Sequence, residues 1–208
     1  MGRGGLLGRA RVVSDLPVAL REALLLRWRE PHRRYHGEAH LRSGLEVLDR
    51  LGAGRLERIA FWFHDAVHSC SSPADEEASA ALAVESLGGV LPPAEAQEVV
   101  RLVLVTVDHD PDRADLAGAR VSDADLAGLG SPWPRYVDNA ADLRAELPAV
   151  DDAGWLAARL RFIDTLEGRT EIFRTPLGMV EWEAAARRNL ARERALLTTR
   201  PAVGTAGA

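Results

Sequence analysis

In Leu56-Glu57-Arg58-Ile59-Ala60-Phe61-Trp62-Phe63-His64-Asp65-Ala66-Val67-His68, the apolar residues Leu56, Ile59, Ala60 and Phe63 fall at i, i+3, i+4 and i+7. That spacing lines one face of an amphipathic helix, and His64, at i+8, belongs to the same stripe. An imidazole with a carboxylate beside it is thereby carried toward a buried face, which is costly unless a metal or a partner satisfies both groups. Upstream, His36, His40, Gly44, Val47 and Leu51 share a second stripe, so His40 also points inward. Gly44, one turn later, permits close helix approach. A lone inward histidine reads as a hydrogen-bonded core residue; two of them on consecutive helices, with an adjacent carboxylate, read as a metal site. Divalent cations take nitrogen and oxygen donors of this kind from separate elements.

Helical periodicity dominates the rest of the chain. Asp15-Leu16-Pro17 predicts a helix start, with Ala19, Leu20, Ala23, Leu24 and Trp28 inward. A second helix is expected at about 36–51. Ser72-Pro73-Ala74-Asp75 resembles a capping signal for a helix with Ala78, Ala81, Leu82 and Glu85 on one stripe. Pro92-Pro93 opens another, with Val99, Leu102, Val103 and Val107 inward. Ser122-Asp123-Ala124-Asp125 reads as the cap of a short helix, followed by helices at 133–147, 155–166 and 179–197. No alternating strand pattern appears. The expected fold is all-α: one helical domain over 15–199, after a variable segment 1–14 and before a disordered tail 200–208.

A length of 208 residues suits one domain with a substantial core. The 5% aromatic content argues against an aromatic nucleic-acid platform, and a net charge of −5 supplies no global field for nucleic acid or anionic lipid. All 26 cationic residues are arginine, which reads as a compositional bias of the source genome. One cysteine, Cys70, excludes an intrachain disulfide, a thiolate zinc site and a Cys-x-x-Cys pair, and favours an intracellular setting. No apolar run has the length of a signal peptide or a membrane span. A soluble cytoplasmic protein is expected, without a membrane or nucleic-acid partner. Homo-oligomerisation is left open.

Five ordered segments carry a resemblance: Arg34-Tyr35-His36-Gly37-Glu38-Ala39-His40, Trp62-Phe63-His64-Asp65-Ala66-Val67, Glu76-Glu77-Ala78-Ser79-Ala80, Asp123-Ala124-Asp125-Leu126 and Ala186-Arg187-Arg188-Asn189-Leu190. Over roughly 20–197 the chain resembles the bacterial metal-dependent phosphohydrolases of the HD superfamily, which are all-helical. The resemblance implies a single HD-type helical bundle in which His40, His64, Asp65 and Asp125 hold a divalent ion. It also selects Asp125 over Asp123, through the Ala124-Asp125 pair. Aspartates two apart on a helix point to nearly opposite sides, which leaves Asp123 as a cap or a support behind the ligands. The chain departs from the family at Gly37, where asparagine is expected, and at His68, where tyrosine is expected. Imidazole and carboxylate donors without thiolate suit manganese, iron, nickel, cobalt, zinc or magnesium.

Other residues are candidates by position. Asp65 and His68 are the expected catalytic groups, His68 because it lies four residues after His64 and shares its face if that helix continues. Glu76 and Glu77 are placed to reach the site or to favour a helix N-terminus, with Glu77 the substrate candidate. His109 is placed to help a second metal, to bind phosphate, or to meet a helix dipole. His36-Gly37-Glu38-Ala39-His40 superficially matches a zinc-peptidase pattern, but Glu38 is displaced from the required position and projects away from both histidines. His36 therefore reads as a substrate contact or a group behind the ligands. Arg33, Arg34, Arg159 and Arg161 are phosphate-clamp candidates whose simpler reading is solvated helix charge. The leading functional expectation is hydrolysis of a phosphate ester of a small metabolite or nucleotide. The alternatives are a dinuclear iron oxygenase and a non-catalytic metal- or nucleotide-binding regulatory module.

Overall fold

A computed structural model describes residues 15–199, and the segments 1–14 and 200–208, with the tail expected there, lie outside the described residues. Among the described residues the regular structure is helical and no strand forms. The order is α1 (Val18–Trp28), α2 (Glu38–Arg50), α3 (Arg55–Phe63), α4 (Ala74–Leu87), α5 (Pro93–Leu104), α6 (Leu116–Leu126), α7 (Trp133–Ala145), α8 (Asp152–Glu167), α9 (Pro176–Glu181) and α10 (Glu183–Thr199), with short 3-10 turns after α5 and α6. None of these helices is long and apolar enough to cross a membrane. The all-α expectation holds.

The core is built from the apolar stripes of α2, α3 and α5, which bury Leu41, Leu48, Ile59, Phe61, Phe63, Val99, Leu102 and Val103. α3 packs against α2, α5 and α6, and is thus the central element. Gly44 permits this, because a Cβ there would lie 2.0 Å from Phe61 Cζ, and Phe61 is fully buried. Gly44→Ala is expected to destabilise the protein by about 1–3 kcal/mol through overpacking, read as a lower urea midpoint with an unchanged slope.

Three expected elements differ in the structure. α4 buries Asp75, Ser79, Ala80, Ala83 and Leu87, not the stripe through Ala78, Ala81, Leu82 and Glu85. An alanine-rich helix offers two nearly equal apolar faces, so periodicity alone does not choose between them. Ser122–Asp125 does not cap a helix but lies in the last turns of α6, whose N-terminus is capped by Asp115 accepting from the Gly118 N–H. The helix expected at 179–197 is broken at Trp182, where α9 ends. Glu183 turns back there, and its carboxylate accepts from the N–H groups of Ile172 and Phe173.

Two arginines read as solvated charge are buried. Arg159 of α8 donates to Glu193 of α10 at 2.8 and 3.0 Å, and Tyr136 of α7 donates its hydroxyl to the same carboxylate, tying three helices together. Arg33, 6% exposed, donates to the carbonyls of His36, Asp65 and Ala66. Arg34 and Arg161 are exposed, as expected.

Candidate metal centre

His40 projects from the first turn of α2, His64 closes the C-terminus of α3, Asp65 follows in the turn, and Asp125 comes from the last turn of α6. His40 Nε2 lies 3.3 Å from His64 Nε2 and 2.9 Å from Asp125 Oδ1. His64 Nε2 lies 3.0 Å from Asp65 Oδ2 and 3.5 Å from Asp125 Oδ1, and Asp65 Oδ2 lies 3.9 Å from His40 Nε2. Donors about 2.0–2.1 Å from a tetrahedral ion stand about 3.3 Å from one another, so these separations suit a shared cation. His64 Nδ1 lies 2.9 Å from the Phe61 carbonyl, which can only accept, so Nδ1 carries the proton. In the neutral ring this leaves the Nε2 lone pair aimed at the other donors, the orientation that metal-bound histidines take from a backbone partner. Rings of Phe61, at 4.2 Å, and Trp28, at 5.4 Å, fix the imidazole plane.

The charges are arranged for a cation. Burial opposes ionisation of Asp65, but His64 and His36 outweigh it and hold the carboxyl well below its usual range. Asp125 behaves alike, with burial overcome by His64 and His40. Burial likewise depresses His64, and the Asp65 and Asp125 carboxylates reverse that and raise it well above an ordinary imidazole. A buried imidazole held charged by two carboxylates marks a position that favours positive charge.

Not every candidate joins this group. Asp123, on the opposite side of α6, accepts from the N–H groups of Arg174 and Thr175, both at 2.8 Å, and from the Thr175 hydroxyl at 2.6 Å. It anchors the start of α9 and takes no part in the donor set. Glu77 is exposed and outside the cavity described below, whereas Glu76 lines it with Oε2 buried and without a hydrogen-bonding partner among the described residues. His109 stands past the end of α5 at a positive φ of 53°, its carbonyl held by the Arg169 guanidinium at 2.9 Å. Its Nε2 lies 3.5 Å from Asp125 Oδ2, and its Nδ1 is buried without a partner among the described residues. Burial, outweighing Asp125, lowers its pKa.

His68 does not sit on a continuation of α3, which ends at Phe63; a turn carries it. That turn is held from α4, where the Ser79 hydroxyl accepts from the Val67 N–H and the Asp75 carboxylate accepts from the N–H groups of Ser69 and Ser71. His68 thereby reaches Glu146, which follows α7. Glu146 Oε2 lies 2.6 Å from His36 Nδ1 and 3.3 Å from His68 Nε2, and Cys70 Sγ lies 3.3 Å from His68 Nε2. Glu146 escapes sequence reading because its partners stand 78 to 112 residues away. All six histidines of the chain gather in these two groups or beside them, His32 stacking on His68. Scattered surface histidines would not do so.

Both groups open on one cavity of about 410 Å³. Asp65, Asp125, His36, His68 and Glu146 are among its polar lining, and Leu129, Leu143, Trp155 and Phe162 among its apolar lining. Asp75, in the same wall, is a structural anion. Burial alone would raise its pKa, but the Ser71 N–H and the Ser69 hydroxyl and N–H hold it below the ordinary carboxylate range. Because the folded pKa is depressed, the stabilisation is present above the unfolded pKa and is lost as pH falls through the folded one. Asp75→Asn is expected to lose about 1–2 kcal/mol in urea melts at pH 7, and the gap to the unaltered protein should narrow at pH 3.

No family model, curated protein or solved structure matches this chain. Its site thus defines it directly: an all-helical protein whose buried groups, His40, His64 and Asp65 in one and His36, His68 and Glu146 in the other, could hold a metal ion.

Proposed function

We propose that this chain is a metal-dependent phosphohydrolase of the HD superfamily, acting on a phosphate ester of a small metabolite or nucleotide. The observation that carries the reading is the convergence of His40, His64, Asp65 and Asp125, drawn from α2, the end of α3 and α6, with Asp65 and Asp125 lining a cavity of ligand size. The donor chemistry fits manganese, iron, nickel, cobalt, zinc or magnesium, and three of the sequence segments that resemble the superfamily, 34–40, 62–67 and 123–126, supply these donors. A divalent ion held there supplies Lewis acidity and makes water acidic enough to attack near neutral pH.

The chain's own residues do the rest. Asp65, turned into the cavity, orients the attacking water by accepting a hydrogen bond from it. Arg33, through its hydrogen bonds to the Asp65 and Ala66 carbonyls, keeps that carboxylate in place. The apolar lining, Leu129, Leu143, Trp155 and Phe162, receives the organic part of the ester and excludes water from the scissile bond. The test is to strip the protein with chelator, restore each of the six metals singly, and screen phosphomonoesters and nucleotides for phosphate release. Release that depends on added metal is the expected result. Tight nucleotide binding without release for any metal would replace this reading with a regulatory one, and oxygen uptake with two irons per chain would replace it with an oxygenase.

A further inference from the structure

The group His36, His68 and Glu146 is unexplained by a site built on His40, His64, Asp65 and Asp125. Its three donor atoms, one from each residue, lie within 4.8 Å of one another. We infer that His36 Nδ1, His68 Nε2 and Glu146 Oε2 form a second divalent-cation site, one that takes zinc or cobalt and keeps open positions toward the cavity.

Glu146 is oriented for a ligand's part. Its Oε1 is committed to the N–H groups of Arg34 at 2.6 Å and His36 at 2.9 Å, and this fixes Oε2 between the two imidazoles. The side chain is 1% exposed, and a carboxylate so buried needs compensating positive charge. Its partners are backbone N–H groups and imidazoles, and an imidazole brings positive charge only by taking up a proton. A cation at the point where the three atoms meet satisfies all of them together. The His68 to Glu146 separation of 3.3 Å is already that of two donors on one tetrahedral ion, and the 2.6 Å contact to His36 needs to open by less than an ångström.

Two imidazoles and one carboxylate match a borderline ion, and hard magnesium or calcium would ask for an all-oxygen shell. The three-donor set also leaves coordination free for water or a substrate oxygen, as catalytic zinc sites do. Because Asp65 and Asp125 line the same cavity, an ion held here would add positive charge to the pocket that receives the ester. His68, expected from the sequence as a catalytic group, then serves as a ligand.

The second site stands whether or not the first hydrolyses phosphate, so its test counts ions and not turnover. The chelator-stripped full chain is titrated with cobalt and followed by visible absorption and by metal analysis after gel filtration. Two ions per chain are expected, with one lost in Asp125→Asn and the other in Glu146→Gln and in His68→Gln. The affected ion should bind at least about 100-fold more weakly. Far-ultraviolet circular dichroism of each metal-free variant verifies folding, and His68→Gln, altered in a partly exposed turn, serves if Glu146→Gln unfolds. One ion lost in Glu146→Gln but kept in Asp125→Asn would support this site and sink the first. Ion number and spectrum unchanged in both Glu146→Gln and His68→Gln would overturn the inference.

Discussion

Asp125→Asn is expected to weaken divalent-ion binding at the His40, His64 and Asp65 group at least about 100-fold and to remove metal-dependent phosphate release, with helical content unchanged. Asparagine keeps the volume, so the effect isolates charge. Asp125 Oδ1 faces His40 Nε2 at 2.9 Å and His64 Nε2 at 3.5 Å, and its other oxygen lies 3.5 Å from His109. No other carboxylate approaches both ring nitrogens this closely from α6. An amide there presents either a neutral oxygen or an N–H pair, and the second repels a cation. Calorimetric ion titration and a phosphate assay read the two effects, and turnover undiminished in the variant would sink the assignment. Asp123→Asn is the matched control. Its carboxylate serves the backbone of Arg174 and Thr175, so the control should lower the thermal midpoint and leave ion affinity intact.

Glu193→Ala is expected to cost about 3–5 kcal/mol, the usual consequence of leaving a buried charge without its partner. Arg159 is 7% exposed and holds Glu193 through two nitrogens, and Tyr136 donates to the same carboxylate. Removing the carboxylate strands a guanidinium and a phenol together between α7, α8 and α10. Against a typical domain stability of about 5–15 kcal/mol, that loss brings the fold near its limit. Urea unfolding of Glu193→Ala beside the apolar pair Arg159→Met with Glu193→Leu separates the terms. The double replacement should recover most of the loss, since no charge is left buried. A single variant within about 0.5 kcal/mol of the unaltered protein would show that the cluster contributes little.

What could be read in advance divides along a physical line. The inward phase of His40 and His64 and the close approach at Gly44 were legible because helical periodicity reports which way a side chain points relative to its own helix. The same property fails where both faces are apolar, as in α4, and where a helix stops, as α3 does before His68. It is also silent about partners. Arg159 reads as solvated charge because Glu193, which neutralises it, stands 34 residues away; Arg33 pairs with nearby Glu30, but the Asp65 and Ala66 carbonyls that draw it inside stand 32 and 33 residues away. Glu146 carries no local signature, since a glutamate at a helix end is ordinarily a surface residue. Helix geometry says only that one of Asp123 and Asp125 faces away, and the choice of Asp125 rests on the resemblance carried by the Ala124-Asp125 pair. The structure supplies the α9 backbone that Asp123 serves.

The reach of Glu146 across 110 residues also bears on the birth of the protein. A chain emerging from the ribosome at about 5–20 residues per second exposes His36, His40, His64, Asp65 and His68 several seconds before residue 146. The donor sets are completed in turn: one waits for α6 to deliver Asp125, the other for the end of α7. Closing loops of this length is slow and entropically costly, so it comes after the local helices have formed. Metal loading of the proposed sites would therefore be a late event of maturation, and a nascent fragment that stalls before residue 125 lacks a complete cage of either kind.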